Sequence, residues 1–88
     1  MMVIYEKSFL KDIKKVKDRK ILGQLSITID ILKSLQNLND MSNIKKLKGH
    51  PAAFRIRMGD YRIGLFYEDR TVIFSRFLNR KDIYSRFP

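Results

Sequence analysis

Phe54-Arg55-Ile56-Arg57-Met58-Gly59-Asp60-Tyr61-Arg62-Ile63-Gly64-Leu65-Phe66-Tyr67 is the stretch that decides the fold. From Phe54 to Met58 apolar and basic residues alternate, the period-2 signature of a half-buried strand. Gly59-Asp60 offers a two-residue turn with glycine where positive φ is wanted, and Tyr61 to Tyr67 returns as the partner strand. Such a turn sets the register: Met58 opposes Tyr61, Arg57 opposes Arg62, Ile56 opposes Ile63 and Arg55 opposes Gly64. Because successive side chains point to opposite faces, Phe54, Ile56, Met58, Tyr61, Ile63 and Leu65 turn to the core. Arg55, Arg57 and Arg62 gather on the other face. Like charges directly opposite one another repel, and a bound anion converts that repulsion into attraction. Gly64 beside Arg55 removes bulk, so the expected result is a shallow cationic floor.

Downstream, Glu68-Asp69-Arg70 turns the chain into a third strand, Thr71 to Leu78. Its register decides whether Arg76 and Arg80 join the floor, since a slip of one residue sends Arg76 to the opposite face. Asn79 to Pro88 reads as a helical turn or ordered tail. Upstream, Ile44 to Lys48 is extended and closes on Gly49-His50-Pro51, and Asn37, Asn39, Asp40, Ser42 and Asn43 form a polar loop. Residues 20–38 carry the helical stripe Leu22, Leu25, Ile29 and Leu32, widened by Ile21 and Leu35. A shorter helix from Ser8 to Lys17, with Ser8 as its N-cap, places Phe9, Leu10, Ile13 and Val16 on one side and lysines on the other. The break at Asp18-Arg19 implies an antiparallel helical hairpin. Met2 to Tyr5 is β-prone. The expectation is one α+β domain over residues 1–88, an N-terminal strand and a helical hairpin packed on an antiparallel β-sheet.

The chain has 88 residues, enough for one domain, with 19 Lys and Arg against nine Asp and Glu, a formal net charge of +10. An excess this large draws polyanions from a distance. The absence of cysteine excludes disulfides and thiolate ligands. No apolar run approaches the roughly 20 residues of a membrane span, and no basic region precedes an apolar stretch as in a signal peptide. The expected setting is therefore cytoplasmic, without membrane contact. Ten of the eleven lysines lie at or before Lys48, and seven of the eight arginines lie after His50. Lysine is a hydrated point charge on a flexible stem. Arginine is a planar fork suited to phosphate oxygens and to stacking, which directs the search for chemistry to the second half.

No acid pair has metal or glycosidase spacing, and the glycines form no phosphate loop. RNA, however, carries its own nucleophile. The 2′-OH attacks the adjacent phosphate if the backbone is held in line, and arginines stabilise the charge that develops. No cofactor is needed. Arginine cannot serve as the base, so another group must move the protons. Tyr84, four residues after Arg80, is the candidate. His50, in its turn beside Pro51, is open to acid–base chemistry or to a structural role. Phe66, Phe74 and Phe77 serve either core packing or base stacking.

The segments Leu47-Lys48-Gly49, Phe54 to Ile63 and Asn79-Arg80-Lys81-Asp82-Ile83-Tyr84 resemble the RelE/ParE superfamily of toxins from type II toxin–antitoxin pairs. The resemblance spans nearly the whole chain. It implies a β-α-α-β-β-β domain that cuts messenger RNA in the ribosomal A site, a metal-independent endoribonuclease. It also implies a cognate antitoxin that wraps the basic surface, and a higher-order toxin–antitoxin complex on its own operator DNA. Carried over, the catalytic set is Arg55, Arg57, Arg62, Arg80 and Tyr84, with Lys46, Lys48, Arg76 and Lys81 expected along the RNA. Members that cut mRNA have lysines at the positions of Arg55 and Arg57, and many have histidine at that of Asn79. An arginine cannot take over a proton-transfer role from lysine. The alternatives are a gyrase poison of the ParE branch and a basic RNA-binding module.

Overall fold

The computed structural model describes residues 1–88. In chain order the elements are β1 (Met2–Tyr5), α1 (Lys7–Lys15), α2 (Arg19–Ser34), a 3-10 turn (Leu38–Asp40), β2 (Ile44–Lys46), β3 (Ala53–Met58), β4 (Tyr61–Glu68), β5 (Thr71–Asn79) and α3 (Ile83–Arg86). The strands form one sheet in the order β1-β5-β4-β3-β2. β1 runs parallel to β5 and every other pair is antiparallel, so the sheet is mixed rather than wholly antiparallel.

The β3–β4 register is the one its turn demands, with Arg57 opposite Arg62 and Arg55 opposite Gly64. Gly59 takes φ +57°, a left-handed value that glycine adopts without steric cost. The β4–β5 turn has two residues, Asp69 and Arg70, at φ 49° and 59°, both positive as a type I′ turn requires. In β5 the register jumps. Gly64 pairs with Arg76 and Leu65 with Phe74, so Ser75 is an extra, bulged residue. The bulge resolves a conflict of phase. Phe74 and Phe77 are three residues apart and would lie on opposite faces of a regular strand, yet both are buried in the same core.

That core lies between the sheet and the two long helices. Phe9 of α1 packs its ring 5.2 Å from Phe74 and 6.3 Å from Phe77. Leu25 and Leu32 of α2 join Ile56, Met58, Ile63, Leu65 and Val72. The helices follow their apolar stripes, but their ends differ from the pattern. Asp18 caps α2 by accepting from the N–H groups of Lys20 and Ile21. α2 stops at Ser34, short of residue 38, and Leu38 is buried from the 3-10 turn instead. α1 starts at Lys7 with Glu6 at the cap position, and Ser8 does not cap it. The Ser8 hydroxyl donates to the Ser75 carbonyl at 2.6 Å, using an acceptor at the bulge. Leu10, expected on the apolar side, is 46% exposed.

The opposite face of the sheet is not bare. Ile83 and Phe87 in and after α3 bury against Leu47 and Ala53, with Phe66 and Leu78 at the margin. The Phe87 ring lies directly on Gly64, where a Cβ would come within 2.7 Å of it. The open floor expected beside Arg55 is thus filled by an aromatic ring, because a short C-terminal helix must bury its own apolar residues somewhere. Phe74 and Phe77 are core residues with no face for stacking, and Phe66 is half-buried with its ring 5.1 Å from that of Phe87.

Candidate active site

The residues that carry charge on this second face come from four segments. β3 contributes Arg55 and Arg57, and β4 contributes Arg62. The β2 strand adds Lys45 directly opposite Arg55. Two like-charge cross-strand pairs therefore stand side by side, Lys45 with Arg55 and Arg57 with Arg62. The sequence pattern alone does not single out Lys45; the register of β2 against β3 places it there.

The C-terminal turn brings Tyr84 over these strands. Its side chain is 60% exposed, yet its position is held: the Arg55 Nε–H donates to the Tyr84 hydroxyl at 3.1 Å, and Arg55 Nη1 donates to the Asn43 carbonyl at 3.2 Å. One lone pair of the phenol oxygen is thereby occupied by a cation, and its O–H remains free to be donated. Residues 29 positions apart in the chain meet here because Ile83 and Phe87 anchor the helical turn between them.

Arg62 is folded back. Its Nη1 donates to the carbonyls of Gly59 at 2.8 Å and Tyr61 at 2.9 Å, which holds it on the hairpin turn. Arg57 is exposed. Arg80 is exposed just beyond β5, where its backbone N–H donates to the Asp60 carbonyl at 2.8 Å and ties it to the same turn. Arg57, Arg62 and Arg80 thus lie along the hairpin end of the sheet, with Arg55 and Tyr84 nearer its middle. Lys81 is exposed in the following turn, its N–H held by the Asn79 side chain at 3.0 Å.

Beyond Tyr84, toward the β2–β3 turn, lies a hollow of about 680 Å3 lined by Lys45, Lys46, Leu47, Lys48, His50, Tyr84, Phe87 and Pro88. No acid lines it. It brings the expected Lys46 and Lys48 together with Tyr84, and places His50 in the same wall.

Arg76 is set apart. Its guanidinium grips Asp12 of α1, with Nε at 2.8 Å and Nη2 at 3.1 Å, and Asp12 also accepts the Phe77 N–H at 2.9 Å. The hydrogen bond from Asp12 raises the Arg76 pKa, desolvation opposes it, and the Asp12 charge adds to the rise. β1 ends opposite Phe74, so α1 takes over the edge of β5 there, and Asp12 satisfies a strand N–H that no further strand reaches.

This fold and the basic face of its sheet define a class. A sequence model described as "ParE toxin of type II toxin-antitoxin system, parDE" matches residues 3–84. The chain belongs to this toxin family, within the RelE/ParE superfamily. It is 42% identical over 89 residues to Toxin RelE3 of Methanocaldococcus jannaschii, covering 100% of both chains. It superposes with a TM-score of 0.81 on a chain of the RelB-RelE antitoxin–toxin complex from Methanococcus jannaschii, at 39% identity, covering 97% of this chain and 99% of that one. The archaeal RelE-RelB complex from Pyrococcus horikoshii OT3 shares the fold at 20% identity, with a TM-score of 0.71 over 93% of this chain and 97% of that one. The chain is a type II toxin homologous to RelE.

Proposed function

We propose that this toxin is a metal-independent endoribonuclease that cuts messenger RNA in the ribosomal A site. The observation that carries the reading is the 3.1 Å bond from Arg55 to the Tyr84 hydroxyl, which orients a proton donor on the sheet face from which Arg57 and Arg62 also emerge. In the reaction the 2′-oxygen attacks the adjacent phosphorus and the bond to the 5′-oxygen breaks. Arg57, Arg62 and Arg80 stabilise the negative charge that grows on the phosphoryl oxygens. Tyr84 gives its proton to the departing 5′-oxygen, and Arg55, donating to the phenol oxygen, eases that loss. Lys46, Lys48 and Lys81 hold flanking phosphates. Arg76, expected along the RNA, is committed to Asp12 and its part is structural. A cognate antitoxin, such as the RelB of the related complexes, would neutralise the +10 chain, and the pair would bind its own operator DNA in the cytoplasm.

The test is primer extension on cellular mRNA after brief induction without an antitoxin. New 5′ ends confined to translated regions, and absent when translation is blocked, are expected. Tyr84→Phe, which removes only the phenol oxygen, should slow cleavage about 10²- to 10⁴-fold; an unchanged cleavage rate would exclude Tyr84 as the donor. The match to the ParE family over residues 3–84 favours one second reading, a gyrase poison. Growth arrest with intact transcripts would establish it instead.

A further inference from the structure

Cleavage by the 2′-OH requires two proton movements, one off the 2′-oxygen and one onto the 5′-oxygen. Tyr84 accounts for one. The arginines cannot accept the other. His50 is the chain's only histidine, and it lines the same hollow as Tyr84, approaching from the β2–β3 turn while Tyr84 comes from α3. Only the backbone of His50 is used by the fold: its N–H donates to the Leu47 carbonyl at 3.2 Å and its carbonyl accepts from Ala53 at 3.4 Å. The imidazole is exposed and free of such duties.

The hollow suits a ribonucleotide. Its volume of about 680 Å3 lies within the roughly 300–1,000 Å3 of ligand pockets. Lys45, Lys46 and Lys48 supply phosphate contacts, Leu47, Phe87 and Pro88 an apolar floor, and Tyr84 an exposed ring. A second depression lined by Lys46, Lys48, His50 and Pro51 continues it over the turn, giving the strand a way out.

We propose that this hollow is the subsite for the ribonucleotide on the 5′ side of the cut, and that His50 is a catalytic residue that takes the proton from its 2′-OH. The inference rests on the ribonuclease reading above. The 2′-oxygen–phosphorus bond forms and the phosphorus–5′-oxygen bond breaks. The 2′-proton passes to the imidazole and the Tyr84 proton to the 5′-oxygen. The products are a 2′,3′-cyclic phosphate and a free 5′-hydroxyl, and no other reactant is consumed.

The test is single-turnover cleavage of mRNA on programmed ribosomes by the full chain and by His50→Ala, with thermal melts to confirm that both are folded. The variant is expected to cut about 100-fold more slowly or worse. A substrate with sulfur in place of the 5′-oxygen has a leaving group that departs without a proton, so it should not rescue His50→Ala. A His50→Ala rate equal to the parent's, or rescue by the sulfur substrate, would overturn the role of His50 while leaving the ribonuclease reading intact. Uncut mRNA with the unaltered chain would overturn both.

Discussion

At the scale of single residues, arginines of similar sequence context have parted company. Arg55 orients Tyr84, Arg62 bends to the carbonyls of its own turn, and Arg76 is consumed by Asp12. The Asp12 carboxylate is 5% exposed and the Arg76 side chain 23%. Removing Asp12 leaves the partly exposed Arg76 without its partner and the buried Phe77 N–H without an acceptor. Asp12→Ala should therefore cost about 1–3 kcal/mol in urea unfolding at neutral pH, a sizeable part of the roughly 5–15 kcal/mol that holds a small domain together. A melt superimposable on the parent's would show that the pair contributes nothing. The raised pKa of Arg76 stabilises the fold fully below the unfolded value and is lost only as pH rises through the folded one. That window lies in strong alkali, so Arg76 adds no pH dependence to stability near neutrality.

At the scale of elements, the decisive contact is α3 on the back of the sheet. The helix is one turn long, Ile83–Arg86, and cannot hold itself together by propensity. It is placed by Phe87 on Gly64 and by Ile83 in the same small cluster. Gly64→Ala puts a methyl 2.7 Å from the ring, and the ring moves more readily than the sheet. The expected outcome is a modest loss of stability, about 1–3 kcal/mol, with a much larger loss of toxicity, because Tyr84 leaves Arg55. Growth arrest at the parent's level would mean that α3 need not be docked for activity. The bulge at Ser75 belongs to this scale too. The spacing of Phe74 and Phe77 already contains it, since two core residues three apart on a strand require an extra one between them.

At the scale of the whole molecule, the proposed ribonuclease reading assigns the +10 charge to encounter with RNA more than to fit. Single-stranded binding that neutralises Z phosphates should weaken with salt at a slope of about −0.7Z in a log–log plot. Each of Lys46→Ala and Lys48→Ala should lower the magnitude of that slope by roughly one contact's share, while Arg76→Ala should leave it unchanged. A slope that falls equally with Arg76 would contradict its separation from the RNA path. The measurement is fluorescence anisotropy with a labelled oligonucleotide across a salt series.

By itself the sequence determined what repeats locally. The alternation from Phe54 to Tyr67 and the two-residue turn set the hairpin register and the side on which Arg55, Arg57 and Arg62 emerge, because strand geometry and turn length admit one pairing. The helical stripes and the break at Asp18 were legible for the same reason, and the terminal Arg-Lys-Asp-Ile-Tyr segment marked the family. What lies across a face is a different matter. Asp12 meets Arg76 across 64 residues, Phe87 covers Gly64, β1 runs parallel beside β5, and His50 shares a hollow with Tyr84. Periodicity states which side a residue turns to, but the neighbour on that side is chosen by the packing of distant segments, and only the tertiary structure decided those encounters.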